Sequence, residues 1–430
     1  MLRIIWFYIP MGASAMLAAL THVIINGVLA RSANPDVTIS SYAVALSLSF
    51  LIDLPNNAIR QASSKFSRDR ISFRSVSRLT IYVMCVLLAV SIGIGWTPFG
   101  GWLFQRVFGV STVLLQPTIQ VYQVLAFMYV LTAARSLFQG VIINQLRTGW
   151  MTIGMAVRVA AMFGMSWWFI QAGWTNSGAL GALIFMVGIL IESAVASAEG
   201  YSLQKSLPEH RESQTVRQVG QLMPFYMPLI YSNLLLAALN PAVQAALNYS
   251  ADPTLAVASF AVALQLSNMV AWFCASVHQI VIQFYEQQRR NVLIVVAGLS
   301  VLSPLFLLTV STEAGGSWLL EGVLSLKGAL LDAVRMLLRL LAVQSCLAPW
   351  IDFFAGKAML SGKTKAIVAG KFSSAIVNVG LLAGFVFSVP GLNGQMAGLV
   401  AAISAPVELL VVAFYLRRLM GREPATLSGQ

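Results

Sequence analysis

Ionisable side chains stand inside stretches of this chain that are otherwise apolar: Arg135, Arg158, Arg335, Arg339 and Lys371 against Asp53, Glu192, Asp332, Asp352 and Glu408. A charge at the centre of a helix in lipid costs about 2.5–3.5 kcal/mol on insertion scales, so each is a candidate for handling an ion or a solute. Guanidinium groups grip phosphate or carboxylate through paired hydrogen bonds. Arg135 and Arg158 are therefore candidate anion ligands, or else arginines that tie neighbouring helices together. Asp53, Asn56, Asn57 and Arg60 recur at i, i+3, i+4 and i+7, which puts them on one helix face. Pro55 among them removes a backbone hydrogen bond. Such a stripe either lines a wet cavity or forms a polar network inside a bundle. Glu192, Glu408, Asp53 and Asp352 are candidates for cation coupling, since a buried carboxylate without a partner takes up a proton readily. The competing reading pairs Glu192 with Arg158 and Glu408 with Lys371 as internal salt bridges.

Asp332, Arg335 and Arg339 share a face; the first two can pair near a membrane interface, and the deeper Arg339 joins the substrate candidates. His22 and His278 read as proton relays or as hydrogen-bonded packing residues. The substrate-binding candidates are thus Asn56, Asn57, Arg60, Arg135, Arg158 and Arg339. No P-loop, catalytic triad, metal-ligand spacing or Gly-rich nucleotide motif is present, so neither an enzyme nor an ATP-driven pump is expected, with no cofactor or metal beyond a coupling H+ or Na+.

The elements that hold these residues must be membrane helices. Of 430 residues, 58% are hydrophobic and 10% charged, against about 25% charged in soluble domains. Apolar stretches predict an all-α polytopic membrane protein of about twelve spans, near 4–30, 39–60, 77–96, 115–143, 149–171, 177–203, 221–248, 254–286, 290–311, 328–359, 364–387 and 393–416. Cys85, Cys274 and Cys346 lie within them as small core residues. The opening apolar run is longer than a signal h-region and recurs in mid-chain, so it reads as the first span.

A net charge of +12 would point to nucleic acid in a soluble protein; here it orients the chain. With the N-terminus inside, the cytoplasmic side takes Arg3, Arg60 to Arg78, Arg147, Lys205 to Arg217, Arg289, Arg290, Lys357 to Lys365, and Arg417 to Arg422. Only Arg31, Arg106 and Lys327 fall opposite. The positive-inside rule then places both termini in the cytoplasm of a cell whose inner (plasma) membrane holds the protein.

The chain also repeats itself. At an offset of 218, Phe7-Tyr8-Ile9-Pro10 returns as Phe225-Tyr226-Met227-Pro228, and Tyr42 to Ser49 returns as Phe260 to Ser267. After a two-residue slip, Phe138 and Gly140 match Phe354 and Gly356, and Glu192 matches Glu408. Matches in near-constant register indicate duplication. Each copy has six spans and so enters the membrane in the same sense, as parallel repeats. The expected division is an N-lobe over 1–203, a polar cytoplasmic interlobe linker over 204–219 carrying Lys205, Glu209, Arg211, Glu212 and Arg217, and a C-lobe over 220–430.

Two parallel six-helix lobes with a basic loop after the second span resemble the MOP flippase superfamily, which includes the MATE exporters. Ser41-Tyr42, Ser47-Leu48, Ser67-Arg68-Asp69-Arg70 and the segment from Arg135 to Thr148 look most like its ANK-type branch. The resemblance implies a MATE-like 6+6 fold working by alternating access, as a secondary-active exporter or flippase of a polar or amphiphilic solute. It implies as partners a small-molecule or lipid-linked substrate and membrane lipids, with no nucleic acid and a monomeric protein. MATE antiporters often carry an acidic residue on the first helix; here that span has His22 and Asn26 but no carboxylate. This departure weakens the alternative, a multidrug cation antiporter, and the ANK-type resemblance implies an anionic, phosphate-bearing or carboxylate solute. The topology is checked by cysteine accessibility in a Cys-free background. A thiol placed at Arg147 is expected to react with an impermeant reagent only from the cytoplasmic side, and one at Asn34 only from the outer side.

Overall fold

The structure, a computed structural model, describes residues 1–210, 215–324 and 326–420; Arg211, Glu212 and Arg422 lie outside them. In chain order the helices are α1 (Leu2–Leu29), α2 (Pro35–Phe66), α3 (Arg70–Trp96), α4 (Pro98–Arg106), α5 (Thr112–Leu125), α6 (Met128–Asn144), α7 (Gly149–Gln171), α8 (Gly178–Lys205), α9 (Met223–Asn248), α10 (Pro253–Cys274), α11 (Val277–Ser311), a four-residue α12 (Glu313–Gly316), α13 (Gly328–Leu360), α14 (Lys365–Ser388) and α15 (Gln395–Met420). Local chemistry sets many of these ends. Pro35 and Pro253 open α2 and α10, where the missing N–H costs nothing. The Asp69 carboxylate accepts the Ser72 N–H at 2.8 Å and caps α3, and Asp252 accepts the Leu255 N–H at 3.0 Å to cap α10.

Ten stretches of the described residues are long and apolar enough to cross a bilayer. One of them, Pro253–Ser311, has 59 residues and serves two crossings. It turns at Ala275-Ser276, between α10 and α11, and again at Gln288, whose φ of −135° and ψ of 45° leave the helical region. α13 falls outside that set because it carries Asp332, Arg335, Arg339, Asp352 and Lys357. The expected fourth span is two helices, α5 and α6, separated at Ala126-Phe127. This is the twelve-helix, two-lobe membrane fold that the repeat predicted.

The chain forms two compact units. One is Ile9–Tyr226; the other joins Met1–Tyr8 to the chain from Met227 onward. The first unit is cored by Tyr122, Tyr129, Phe104, Ile25 and Leu29, and the second by Leu320, Leu337, Leu338 and Leu341.

The unit boundaries reveal a reciprocal exchange. The first turns of α1 pack in the second unit, where the Tyr8 hydroxyl donates to the Phe273 carbonyl at 2.6 Å and Phe7 meets Phe284 edge-on at 5.2 Å. The start of α9 packs in the first unit, where the Tyr226 hydroxyl donates to the Pro55 carbonyl at 3.2 Å and Phe225 meets Phe66 at 5.1 Å. Every residue in the first set lies 218 positions from its counterpart in the second. The duplication is thus visible in single hydrogen bonds.

Glycines repeat the pattern. A Cβ on Gly178 would lie 2.6 Å from Ser41 Oγ and 3.0 Å from the Thr38 carbonyl; one on Gly394 would lie 2.6 Å from Ser259 Oγ and 3.0 Å from the Ala256 carbonyl. Only glycine lets these helices approach so closely.

In the first unit the loop after α2 and the start of α3 also hold parts of the segment between α8 and α9. Arg70 Nε donates to the Leu207 carbonyl at 3.0 Å, and the Ser75 hydroxyl donates to the Val216 carbonyl at 2.9 Å. The Thr215 hydroxyl donates to Asp69 Oδ2 at 3.2 Å. Asp69 and Arg70 therefore tie that segment to the start of α3.

Tyr8→Phe and Tyr226→Phe each delete one hydrogen bond and are expected to cost about 1 kcal/mol. Gly178→Ala and Gly394→Ala force packed backbones apart and are expected to cost about 1–3 kcal/mol. Thermal unfolding in detergent measures both, and similar losses within each repeat-related pair are expected.

Candidate functional site

The first unit has a polar interior built from one face each of α2 and α6, with α7 and α8 behind. On α2, Asp53 and Asn56 are buried, whereas Asn57 and Arg60 are partly exposed. Asn56 Nδ2 donates to Asp53 Oδ1 at 2.8 Å, and the Thr132 hydroxyl donates to the same oxygen at 2.6 Å. Asn56 Nδ2 also lies 2.9 Å from Thr132 Oγ1. Asp53 and Asn56 thus belong to an α2–α6 network inside the unit, the second of the two readings of the stripe.

One turn further along α6, Arg135 Nη1 donates to Glu192 Oε2 at 2.9 Å. Arg158 Nη1, from α7, donates to the same oxygen at 2.7 Å, and Gln139 Nε2 donates to Oε1 at 3.0 Å. One carboxylate on α8 therefore draws in three side chains from two other helices. The side chains of Arg158 and Glu192 are each 5% exposed and that of Arg135 is 19% exposed, so only the last retains contact with the surroundings. The Arg158 guanidinium also lies over the Phe185 ring, 5.1 Å from its centroid. His22 stacks on that ring at 5.7 Å and meets Phe50 at 5.8 Å, which makes it a packing residue of α1.

Thr132 and Gln139 were not among the candidates. Both were findable, because they lie at i−3 and i+4 from Arg135 and so share its helix face.

In the second unit the ionisable groups form separate pairs. Lys371 Nζ on α14 meets Glu408 Oε1 on α15 at 2.7 Å. His278, the repeat counterpart of Arg60, has Nδ1 3.1 Å from Asp352, which also accepts the His278 backbone N–H at 2.7 Å. Asp352 thereby holds the start of α11 just after the helix break. Arg335 Nη2 donates to Glu321 Oε1 at 2.7 Å, so its partner is Glu321 and not Asp332, one turn away. Arg339 is exposed and has no polar partner among the described residues. The structure thus brings Asp53, Asn56, Arg60, Arg135, Arg158 and Glu192 together in one unit and leaves Arg339, Asp352 and Glu408 in the other. Among the described residues no group of three or more His, Cys, Asp or Glu could hold a metal ion.

Solved structures share this architecture across nearly the whole chain. The eukaryotic MATE transporter AtDTX14 is similar at 13% identity over 96% of this chain and 95% of that one, with a TM-score of 0.70. A multidrug resistance MATE family transporter of the MOP superfamily, in an outward-facing conformation, is similar at 13% identity over 97% and 96%, with a TM-score of 0.75. A MOP superfamily transporter from Pyrococcus furiosus, described as having a binding pocket of reversed polarity, is similar at 14% identity over 97% and 96%, with a TM-score of 0.70. No protein-family model matches the chain, and no curated relative matches it by sequence. The fold is that of the MATE proteins of the MOP superfamily; the ANK-type branch has no such support.

Glu192→Gln would leave two guanidinium groups in the interior without their acid, and loss of a buried ion-pair partner costs about 3–5 kcal/mol. Glu408→Gln, whose Lys371 partner is 25% exposed, is expected to cost markedly less. Melting temperatures of the two variants in detergent check the difference.

Proposed function

We propose that the chain is a secondary-active exporter or flippase that moves a polar or amphiphilic, anionic solute across the inner membrane by alternating access. The reading rests on the fold and on one observation about charge. The interior of the first unit holds Arg60, Arg135 and Arg158 against Asp53 and Glu192. Glu192 is engaged by two arginines, and Asp53 by Thr132 and Asn56. Neither is left as a bare carboxylate to attract a cationic drug. The Pyrococcus furiosus neighbour, with its pocket of reversed polarity, offers a precedent for a changed substrate on this fold.

The duplicated architecture supports alternating access, since two structurally equivalent units supply two bodies to move. Coupling to H+ or Na+ through Asp53, Glu192, Glu408 or Asp352 belongs to this proposal, as do a monomeric state, cytoplasmic termini and the absence of enzymatic activity. The solute is a small molecule or a lipid-linked one, met in contact with membrane lipid. The second reading, a multidrug antiporter for cations, is favoured by the multidrug resistance MATE transporter among the solved neighbours.

Proteoliposomes containing the purified chain decide between them. Flux of radiolabelled dicarboxylates and organic phosphates is expected to rise several-fold when a proton or sodium gradient is imposed, with ethidium flux unchanged. Gradient-driven ethidium flux alone would establish the antiporter reading. A gradient without effect on any solute would contradict secondary transport.

A further inference from the structure

Among the basic groups inside the first unit, Arg60 stands apart. Arg135 and Arg158 are committed to Glu192, whereas Arg60 has no hydrogen-bond or ion-pair partner among the described residues. It lies on the α2 face packed against α6, between Asn56, whose Nδ2 is 2.9 Å from Thr132 Oγ1, and Ser63, whose hydroxyl donates to the Leu137 carbonyl at 2.7 Å, and so at the level of Arg135. Like charges gathered in a low-dielectric interior repel strongly, and an uncompensated guanidinium there is costly. The two acids of the cluster leave one positive charge unmatched. The second unit resolves the same problem differently: at the matching position it has His278, and it supplies Asp352 as a partner. The first unit supplies no such acid.

Donors are also left over. Nε of Arg135 and Nε of Arg158 are both buried without an acceptor. A buried N–H that lacks a partner calls for an acceptor, and the unmatched positive charge favours an anionic one. Arg60 is partly exposed. Arg60 is six residues from the end of α2 at Phe66, about 9 Å at 1.5 Å per residue. The Arg135 side chain, 19% exposed, is the outward member of the glutamate clasp.

We infer that Arg60 anchors an oxyanion subsite, with the exposed edge of Arg135 as its second contact, which takes the phosphate or carboxylate group of the transported solute. This deepens the exporter reading and rests on it for the word transported; the subsite itself stands on geometry. The planar guanidinium fork matches two oxygens of such a group. Glu192 is the resident carboxylate against which the ligand competes for Arg135. An anionic lipid headgroup and a soluble phosphate present the same chemistry to Arg60.

The test is binding to the full-length chain in an uncharged detergent, read by isothermal titration calorimetry with inorganic phosphate and citrate, and with tetraphenylphosphonium as a cationic control. Native mass spectrometry with phosphatidylglycerol against phosphatidylcholine supplies the lipid arm. Arg60→Gln is expected to weaken oxyanion binding at least ten-fold and Arg60→Lys by less, since a lysine keeps the charge but loses the fork. Glu192→Gln is expected to strengthen binding several-fold by freeing Arg135. A purely structural Arg60 predicts no such opposite signs, and Arg60→Lys retains a readable protein should Arg60→Gln fail to fold. Arg60-dependent binding of phosphatidylglycerol but not phosphate identifies a headgroup as the source; binding of both, or of phosphate alone, identifies a free oxyanion. Phosphate and phosphatidylglycerol binding that is unchanged in both Arg60 variants, or equal binding of tetraphenylphosphonium, would overturn the inference. Oxyanion binding without gradient-driven flux would overturn the exporter reading alone.

Discussion

A single carboxylate organises the interior of the first unit. Glu192 on α8 receives Arg135 from α6 and Arg158 from α7 on one oxygen and Gln139 on the other. In a bilayer none of these groups can turn to water for its missing hydrogen bonds, so the clasp must be nearly complete or it would destabilise the bundle. That requirement fixes the rotation of three helices, because each must present a particular side chain to one point. α2 then adds its own stripe against the same face of α6, where Asp53, Asn56 and Thr132 close a second network. Buried ion pairs contribute little net stability compared with apolar packing.

The two units descend from one six-helix ancestor, and their differences are as informative as their likeness. Packing constraints have been kept: the tyrosine hydrogen bonds at Phe273 and Pro55, and the glycine approaches at Gly178 and Gly394, match position for position. The charges have diverged. Both units keep a glutamate on their last helix and a cation on the helix before it, but in the second unit Glu408 has the single partner Lys371 where Glu192 has two arginines. Backbone contact is what the fold requires of both copies; the distribution of charge is free to differ between them.

Much of this was legible in the sequence because the signals are periodic or repeated. The span 149–171 coincides with α7, since its apolar run is bounded by Thr148-Gly149 and the glycine turn at Gly173. The salt bridges of Glu192 with Arg158 and of Glu408 with Lys371 were foreseeable as the pairing of buried opposites. Other features were not. The turn at Gln288 is no surprise, because the polar run Glu286 to Arg290 separates the expected spans 254–286 and 290–311, but the breaks at Ala126-Phe127 and Ala275-Ser276 carry no proline or glycine at those positions, so hydropathy runs through them. Arg335 turns to Glu321 because the segment before α13 folds back, which helix spacing alone does not reveal. The exchange of first turns at Tyr8 and Tyr226 depends on residues 265 and 171 positions away, beyond any local pattern. Which arginine of the cluster lacks a partner is likewise a property of three-dimensional neighbours only.

The account stands on the coupling between Glu192 and its arginines, and a double-mutant cycle measures that coupling directly. Arg158→Gln, Glu192→Gln and the double substitution are compared by unfolding free energy in detergent. Strong coupling predicts a double variant more stable than the sum of the two single losses allows, by about 1.5 kcal/mol or more, in the upper part of the range for contacting residues. Losses that add to within about 0.5 kcal/mol would mean that the two side chains act independently. The arginine-rich interior would then have no clasp to shape it.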